Sequence, residues 1–449
     1  MDLATLLRHE RAVPRYTSYP TAAQFHAGVG AATYRGWLRA LPEGRPISLY
    51  AHIPFCRSIC WYCACHTQVA RRADDLAAYA RLGAQELDMI AADIGEGRPL
   101  VAIQFGGGTP TEIGGAALKR LIARATARFR LAPGAEISVE TDPRYVSRSL
   151  VASLAAAGVT RASLGVQDFD PVVQRAINRL QPEETTRACV AMLRGAGIDR
   201  VNVDLVYGLP RQTLETLART LTTTIDLRPS RIAVFGYAHV PWMSKRQRAI
   251  DEAALPDMAA RHAMAALVAA RLEGAGYRRI GLDHYALPDD PLALAAEVGA
   301  VRRNFQGYTD VPAVPMIGLG ATAISLLPDG YAQNATKVAD YAAAIGERRY
   351  ATARGVAVRP EDRLVGDVIE RLMCDFEVDL DEVADRHGMP SGAFVDDLAR
   401  LRPYAEDGIV RIDGARVRVA EAARDGVRLV CAAFDHHLPA SGGRHSRAV

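Results

Sequence analysis

From residue 47 onward the chain alternates short apolar runs with amphipathic stretches of helical period. Strands are expected over 47–53, 100–105, 136–141, 161–166, 200–207, 231–237 and 277–282. Helices are expected over 74–93, 115–129, 147–157, 182–196, 212–227 and 256–275. Alternation of this kind specifies parallel β/α units with right-handed crossovers, because each helix must pack back on the sheet it leaves. The ordinary globular composition, 49% hydrophobic and 23% charged, excludes a disordered, collagenous or coiled-coil chain. No dinucleotide fingerprint follows the first strand, so a full or partial barrel is expected in place of a doubly wound sheet.

In barrels of this kind chemistry sits at the C-terminal ends of strands. The polar and glycine-rich positions fall there: a cysteine loop after residue 53, Gly106-Gly107-Gly108, Glu140-Thr141-Asp142, Gln167-Asp168 and Asp204. The cysteines are the uneven part of the composition. Of seven, Cys56, Cys60, Cys63 and Cys65 fall within ten residues, while Cys189, Cys374 and Cys431 are scattered. Three thiolates in one short loop can serve a soft metal centre and leave a coordination position open. All four could close a structural zinc site, although one residue between Cys63 and Cys65 makes a tetrahedron awkward. His52 and His66 flank the loop and are read as core or supporting groups. The residues alone leave cluster and zinc both open.

The 54 Lys and Arg nearly balance 51 Asp and Glu, leaving +3. That is no footprint for a nucleic-acid binder, so no nucleic-acid partner is expected. Positive charge for an acidic ligand must instead be focused in a pocket. The N-terminus carries no signal peptide. The uncharged stretch 311–327 holds Pro312, Pro315, Gly318 and Gly320, so it reads as a loop and a buried strand, not a membrane helix. A soluble, cytoplasmic chain without a membrane partner is expected. In a reducing compartment, Cys374 and Cys431 are read as apolar helix positions, inert by default.

Four regions are expected. Residues 1–45 form an N-terminal arm, 46–350 the β/α barrel, 351–438 a C-terminal domain, and 439–449 a disordered tail that includes none of the motifs. In the C-terminal domain, helices over 362–374, 380–387 and 391–401 precede alternating runs around Asp413-Gly414, a hairpin signal. Helices with a two-stranded wing suggest a winged-helix-like lid. His436-His437 is read as solvated.

Cys56, three residues, Cys60, two residues, Cys63, in the loop after the first strand of a β/α barrel, resembles the radical S-adenosylmethionine superfamily. An ordered set of motifs narrows the resemblance. It comprises Tyr16-Thr17-Ser18-Tyr19-Pro20-Thr21, the extra Cys65, Gly106-Gly107-Gly108-Thr109-Pro110 and Gly165-Val166-Gln167-Asp168-Phe169. It continues with Asp204-Leu205-Val206-Tyr207-Gly208-Leu209-Pro210, Tyr237-Ala238-His239-Val240-Pro241-Trp242 and Asn304-Phe305-Gln306-Gly307-Tyr308-Thr309. Together they resemble the oxygen-independent coproporphyrinogen III oxidase family over nearly the whole chain. Ala64 stands where glycine is usual in that family, Phe105 where Trp is often seen, and Asp310-Val311 shifts a polar pair.

The resemblance implies an α/β fold, a partial (β/α)6-type radical SAM barrel with an N-terminal arm and a C-terminal helical winged-helix-like domain. It implies a [4Fe–4S] cluster on Cys56, Cys60 and Cys63, whose fourth iron chelates S-adenosylmethionine. For that molecule it implies contacts from Tyr50, Gly107, Gly108, Thr109, Glu140 and the backbone of Ile324. A second S-adenosylmethionine is implied beside the first, with Tyr62, Gln167, Arg179, Asp204 and Ala238. Tyr50, Phe305 and Gln306 are the implied catalytic residues. The implied reaction turns two propionates of coproporphyrinogen III into vinyl groups by way of a 5′-deoxyadenosyl radical, with a flavodoxin or ferredoxin as electron donor. Arg302-Arg303 and 245–248 are read as possible propionate contacts or as solvated charge. A haem chaperone of the same fold and a metal-binding winged-helix protein are the rivals. A monomer is expected.

Overall fold

The computed structural model describes residues 3–70 and 72–438. The expected tail, 439–449, lies outside the described residues. The chain forms two compact units: Phe25–Asp257 with Ala313–Ala357, and Met1–Gln24 with Met258–Pro312 and Val358–Val449. The segment expected as an N-terminal arm is thus shared between them.

The first unit is built on a sheet. Its core is β1 (Ile47–Ile53), β2 (Pro99–Gly107), β3 (Arg130–Thr141), β4 (Arg161–Gln167), β5 (Arg200–Tyr207) and β6 (Arg231–Gly236). They are neighbours in chain order and all parallel. Parallel strands are covered on both faces and so read as continuous apolar runs; β1 is buried everywhere but at Tyr50. The helices between them bury one stripe each, as in Ala73–Ile94 with Tyr79, Leu87 and Ile90 inward. Ser147 and Asp170 cap two helices by accepting from backbone N–H groups of the first turn. Asp170 heads a short helix, Pro171–Ala176, that was not expected; an Asp-Pro cap was its signal.

Strand Met316–Leu319 pairs parallel to β1 on the side away from β2, setting Gly318 opposite Tyr50. Antiparallel strands Ile324–Leu327, Gly330–Asn334 and Thr352–Ala357 extend that edge. The uncharged stretch 311–327 is therefore loop and strand, and among the described residues no helix is long and apolar enough to cross a membrane.

The second unit corrects one expectation. The seventh strand is short, Arg278–Ile280, and forms an antiparallel hairpin with His284–Ala286 in this unit, so it is no further β/α strand. Helices Pro360–Asp375 and Val427–Phe434 pack Val365, Ile369, Leu372, Val430 and Phe434 with Tyr16 and Tyr19. The wing has three strands in the order Glu377–Asp379, Arg416–Val419, Val410–Asp413. Its turn is Gly414-Ala415, one residue later than Asp-Gly suggests, with Gly414 at φ 61°. His436 and His437 are not simply solvated, since they meet Asp397 at 3.0 Å and Asp362 at 2.7 Å. Cys374 and Cys431 are buried in this unit, as expected.

Candidate active site

The cysteine loop leaves β1 and returns to it. Cys56 N–H donates to the Gln68 carbonyl at 3.0 Å, and Gln68 N–H to that of Pro54 at 2.8 Å, closing the loop at its neck. Gly108 N–H and Thr109 N–H donate to the carbonyls of Ile53 and Phe55 at 2.9 and 2.7 Å. The far side is held too. Trp61 N–H donates to Ile177 at 3.0 Å, and Asn178 Nδ2 to the Ile59 carbonyl at 2.8 Å. Each of the first three sulfurs meets a donor: Cys56 the Thr109 hydroxyl at 3.8 Å, Cys60 Arg179 Nη1 at 3.4 Å, and Cys63 the Cys65 N–H at 3.4 Å. Burial pushes the Cys56 thiol up, and neighbouring Cys63 and Cys60 add to this. Hydrogen bonding from Cys65 pulls the Cys63 thiol down to about 6.

Beside the loop, the end of β2 explains the triple glycine. A Cβ on Gly106 would meet Glu140 Oε1 at 2.7 Å and the Tyr50 ring at 2.9 Å. On Gly107, at φ 115°, it would meet the His52 ring at 2.6 Å, and on Gly108 the Phe55 carbonyl at 2.6 Å. Tyr50, Glu140 and the cysteine loop therefore close on one strip of bare backbone. Gly107 N–H donates to Glu140 Oε2 at 3.1 Å, and the Tyr50 hydroxyl meets His52 Nδ1 at 3.1 Å. Burial, with Asp204 nearby, holds the Glu140 carboxyl up at about 7. Burial lowers His52 to about 4, so its ring is neutral at pH 7.

Arg179 lies in the loop after Pro171–Ala176, only 6% exposed. Besides Cys60 it donates to Asp142 Oδ2 at 3.2 Å and, through Nη2, to the Gly165 carbonyl. Its Nε is buried without a partner. Burial would raise Asp142, but Arg144 and Arg179 overcome this and hold its carboxyl below the usual range. Gly165 carries the Gln167 and Arg179 side chains against it, at 3.0 and 3.3 Å from a built Cβ. Asp204 accepts from the Ser163 hydroxyl at 3.1 Å. Ile324 presents its carbonyl to Gly318, where a Cβ would be 2.8 Å away.

Residues to which the sequence reading gave another role, or none, tie the site together. Gln247, 1% exposed, donates to the carbonyls of Tyr62 at 2.7 Å and Ala238 at 3.1 Å, and its Oε1 accepts from Val240 N–H at 2.5 Å. Arg246 donates to Thr67 Oγ1 at 2.6 Å, and Ser244 to the Cys63 carbonyl at 2.9 Å. Within the basic run 245–248, Arg246 and Gln247 thus serve as a clamp on the cysteine loop. Arg302 pairs with Glu370 at 2.6 Å and Arg303 lies 4.4 Å from the Tyr308 ring centroid. Asp168 supports structure, accepting from Gln212, Thr220 and the Asp170 N–H. Phe305 and Gln306 belong to the second unit, at the turn between Arg302–Asn304 and Gly307–Thr309, where Gln306 N–H donates to Asn304 Oδ1 at 2.8 Å.

Among the described residues no group of three His, Cys, Asp or Glu side chains is placed to share one metal ion. A polynuclear cluster needs no such shared point, since it takes one thiolate per iron. The buried, unpartnered Arg179 Nε fits a ligand that carries an acceptor atom.

Residues 50–223 match the radical SAM superfamily, and residues 358–425 the HemN C-terminal domain. The chain is 50% identical over 448 residues to an oxygen-independent coproporphyrinogen III oxidase from Bradyrhizobium diazoefficiens, covering 100% of this chain and 99% of that one. The chain belongs to the oxygen-independent coproporphyrinogen III oxidase family. A relative of that name from Pseudomonas aeruginosa is 38% identical over 453 residues, covering 100% of this chain and 98% of the relative. The solved coproporphyrinogen III oxidase (HemN) from Escherichia coli, described as a radical SAM enzyme, superposes with a TM-score of 0.91 at 38% identity, over 97% of this chain and 99% of that one. The partial radical SAM barrel and the C-terminal domain expected for this family are thus borne out.

Proposed function

We infer that the chain is an oxygen-independent coproporphyrinogen III oxidase, a radical SAM enzyme that converts two propionates of coproporphyrinogen III to vinyl groups and gives protoporphyrinogen IX. The observation that carries this is 50% identity over the full length to an enzyme of that name. Its cofactors are a [4Fe–4S] cluster and S-adenosylmethionine. When bound, the cluster and S-adenosylmethionine would supply hydrogen-atom abstraction at a propionate β-carbon, and loss of CO2 with one electron passed to an external acceptor would complete each vinyl group.

The roles of single residues follow from their chemistry. Cys56, Cys60 and Cys63 would hold the cluster, because the loop is closed at its neck and each sulfur already has one donor. Gly107, Gly108 and Thr109 are proposed to present their backbone to the methionine end, with Tyr50 beside them. Glu140 would accept from ribose hydroxyls, and the Ile324 backbone would face the same molecule. A second S-adenosylmethionine is proposed against Tyr62, Gln167, Arg179, Asp204 and Ala238. In support, Gln247 ties Tyr62 and Ala238 to one amide, and Arg179 keeps one buried N–H unpartnered. Phe305 and Gln306 are proposed as substrate contacts. A flavodoxin or ferredoxin is the proposed electron donor, and the proposed state is a monomer in the cytoplasm.

The test is an anaerobic assay with reduced protein, S-adenosylmethionine and coproporphyrinogen III. Vinyl product should form with the parent chain and fall to background with Cys60→Ser. A cluster-loaded chain that makes no vinyl product would overturn the proposal.

A further inference from the structure

The three sulfurs of the loop are not hydrogen-bonded alike. Cys56 meets a hydroxyl and Cys63 a backbone N–H, but Cys60 meets a guanidinium, Arg179 Nη1, from 119 residues along the chain at 3.4 Å. That guanidinium is buried and shares its charge with one anion: Asp142 Oδ2 lies 3.2 Å from Arg179 Nη1 and 2.7 Å from Arg144 Nη2. Two cations on one carboxylate leave the trio net positive beside Cys60. Fields from buried charges are weakly screened. Cluster reduction potentials respond to net charge and to hydrogen bonds on the sulfurs.

We propose that Arg179 is a positioning residue for electron transfer, whose charged hydrogen bond to the Cys60 sulfur raises the cluster's reduction potential while Asp142 limits the rise. The inference rests on cluster ligation by Cys56, Cys60 and Cys63. The physical reason is the sign of the charge. Reduction adds an electron to the cluster, and an adjacent buried cation stabilises the more negative state. Asp142 opposes this, so the Arg179–Asp142 pair sets the level.

The test is a redox titration of the reconstituted full-length protein, followed by electron paramagnetic resonance without S-adenosylmethionine, beside iron and sulfide analysis. Arg179→Gln should lower the reduced-to-oxidised ratio at fixed potential about tenfold, which for one electron is about 59 mV. Arg179→Lys, which keeps the charge but not the fork, should shift less. Asp142→Asn should shift the ratio in the opposite direction. If Arg179→Gln loses its cluster, the Lys and Asn variants decide. Midpoints equal to the parent in the cluster-loaded variants would overturn the proposal and leave the cluster reading intact. A parent chain that assembles no iron and sulfide would remove that reading itself.

Discussion

A Cβ placed on Gly108 would stand 2.6 Å from the Phe55 carbonyl oxygen and 3.0 Å from Cys56 Sγ. The first of these atoms is backbone at the neck of the cysteine loop and cannot swing away. Gly108→Ala should therefore cut iron and sulfide incorporation severalfold, read by chemical analysis after anaerobic reconstitution. Gly36→Ala, where a Cβ meets nothing within 4 Å, should leave incorporation unchanged. At this scale the sequence was most legible where residue type limits chemistry. Four clustered cysteines and three successive glycines announce a site whatever surrounds them. Arg179 was legible only through resemblance, because its burial depends on a loop that a local reading takes for helix surface.

At the scale of elements, the ends of the sheet are locked by helix Ala73–Ile94. Its Glu86, fully buried, accepts from Gly320 N–H at 2.7 Å, Asn334 Nδ2 at 2.7 Å and the Tyr341 hydroxyl at 2.8 Å. From the same helix the Tyr79 hydroxyl donates to the His52 carbonyl and accepts from Ala321 N–H, both at 2.8 Å. The two contacts join the end of β1 to the turn after Met316–Leu319. Burial raises Glu86 from its usual 4.5 to about 7, against the pull of its three donors. Between those pH values the native state keeps a proton that the unfolded chain releases, so stability falls as pH rises through that window. Glu86→Gln should flatten that fall, read by urea denaturation across pH 5 to 8; an unchanged pH slope would refute the assignment. Gln247 is the corresponding lock at the end of β6. Gln247→Ala leaves buried backbone groups unpaired and should cost about 1–3 kcal/mol. It should also raise KM for S-adenosylmethionine, measured by initial rates under anaerobic conditions. The six parallel strands were legible through their regular alternation with amphipathic helices; burial is nearly continuous along β1 and β6 but alternates in β4 and at the end of β3. The strand Arg278–Ile280 misled because three residues carry no mark of parallel or antiparallel pairing. The clamp by Ser244, Arg246 and Gln247 was hidden because its partners lie about 180 residues away in sequence.

For the molecule as a whole, the near balance of 54 basic and 51 acidic residues now has a structural reading. Of the basic runs read as candidate propionate contacts, Arg302 pairs with Glu370 and Arg246 with the cysteine loop, while Arg179 is held by Asp142 and Cys60. These three cations are paired within the fold. The central claim is that hydrogen leaves the propionate β-carbon for an adenosyl radical. It is tested most directly with coproporphyrinogen III deuterated at those carbons, turned over anaerobically with S-adenosylmethionine. Deuterium should appear in 5′-deoxyadenosine as vinyl groups form, and Cys60→Ser should give neither. Vinyl product without deuterium in 5′-deoxyadenosine would contradict the account.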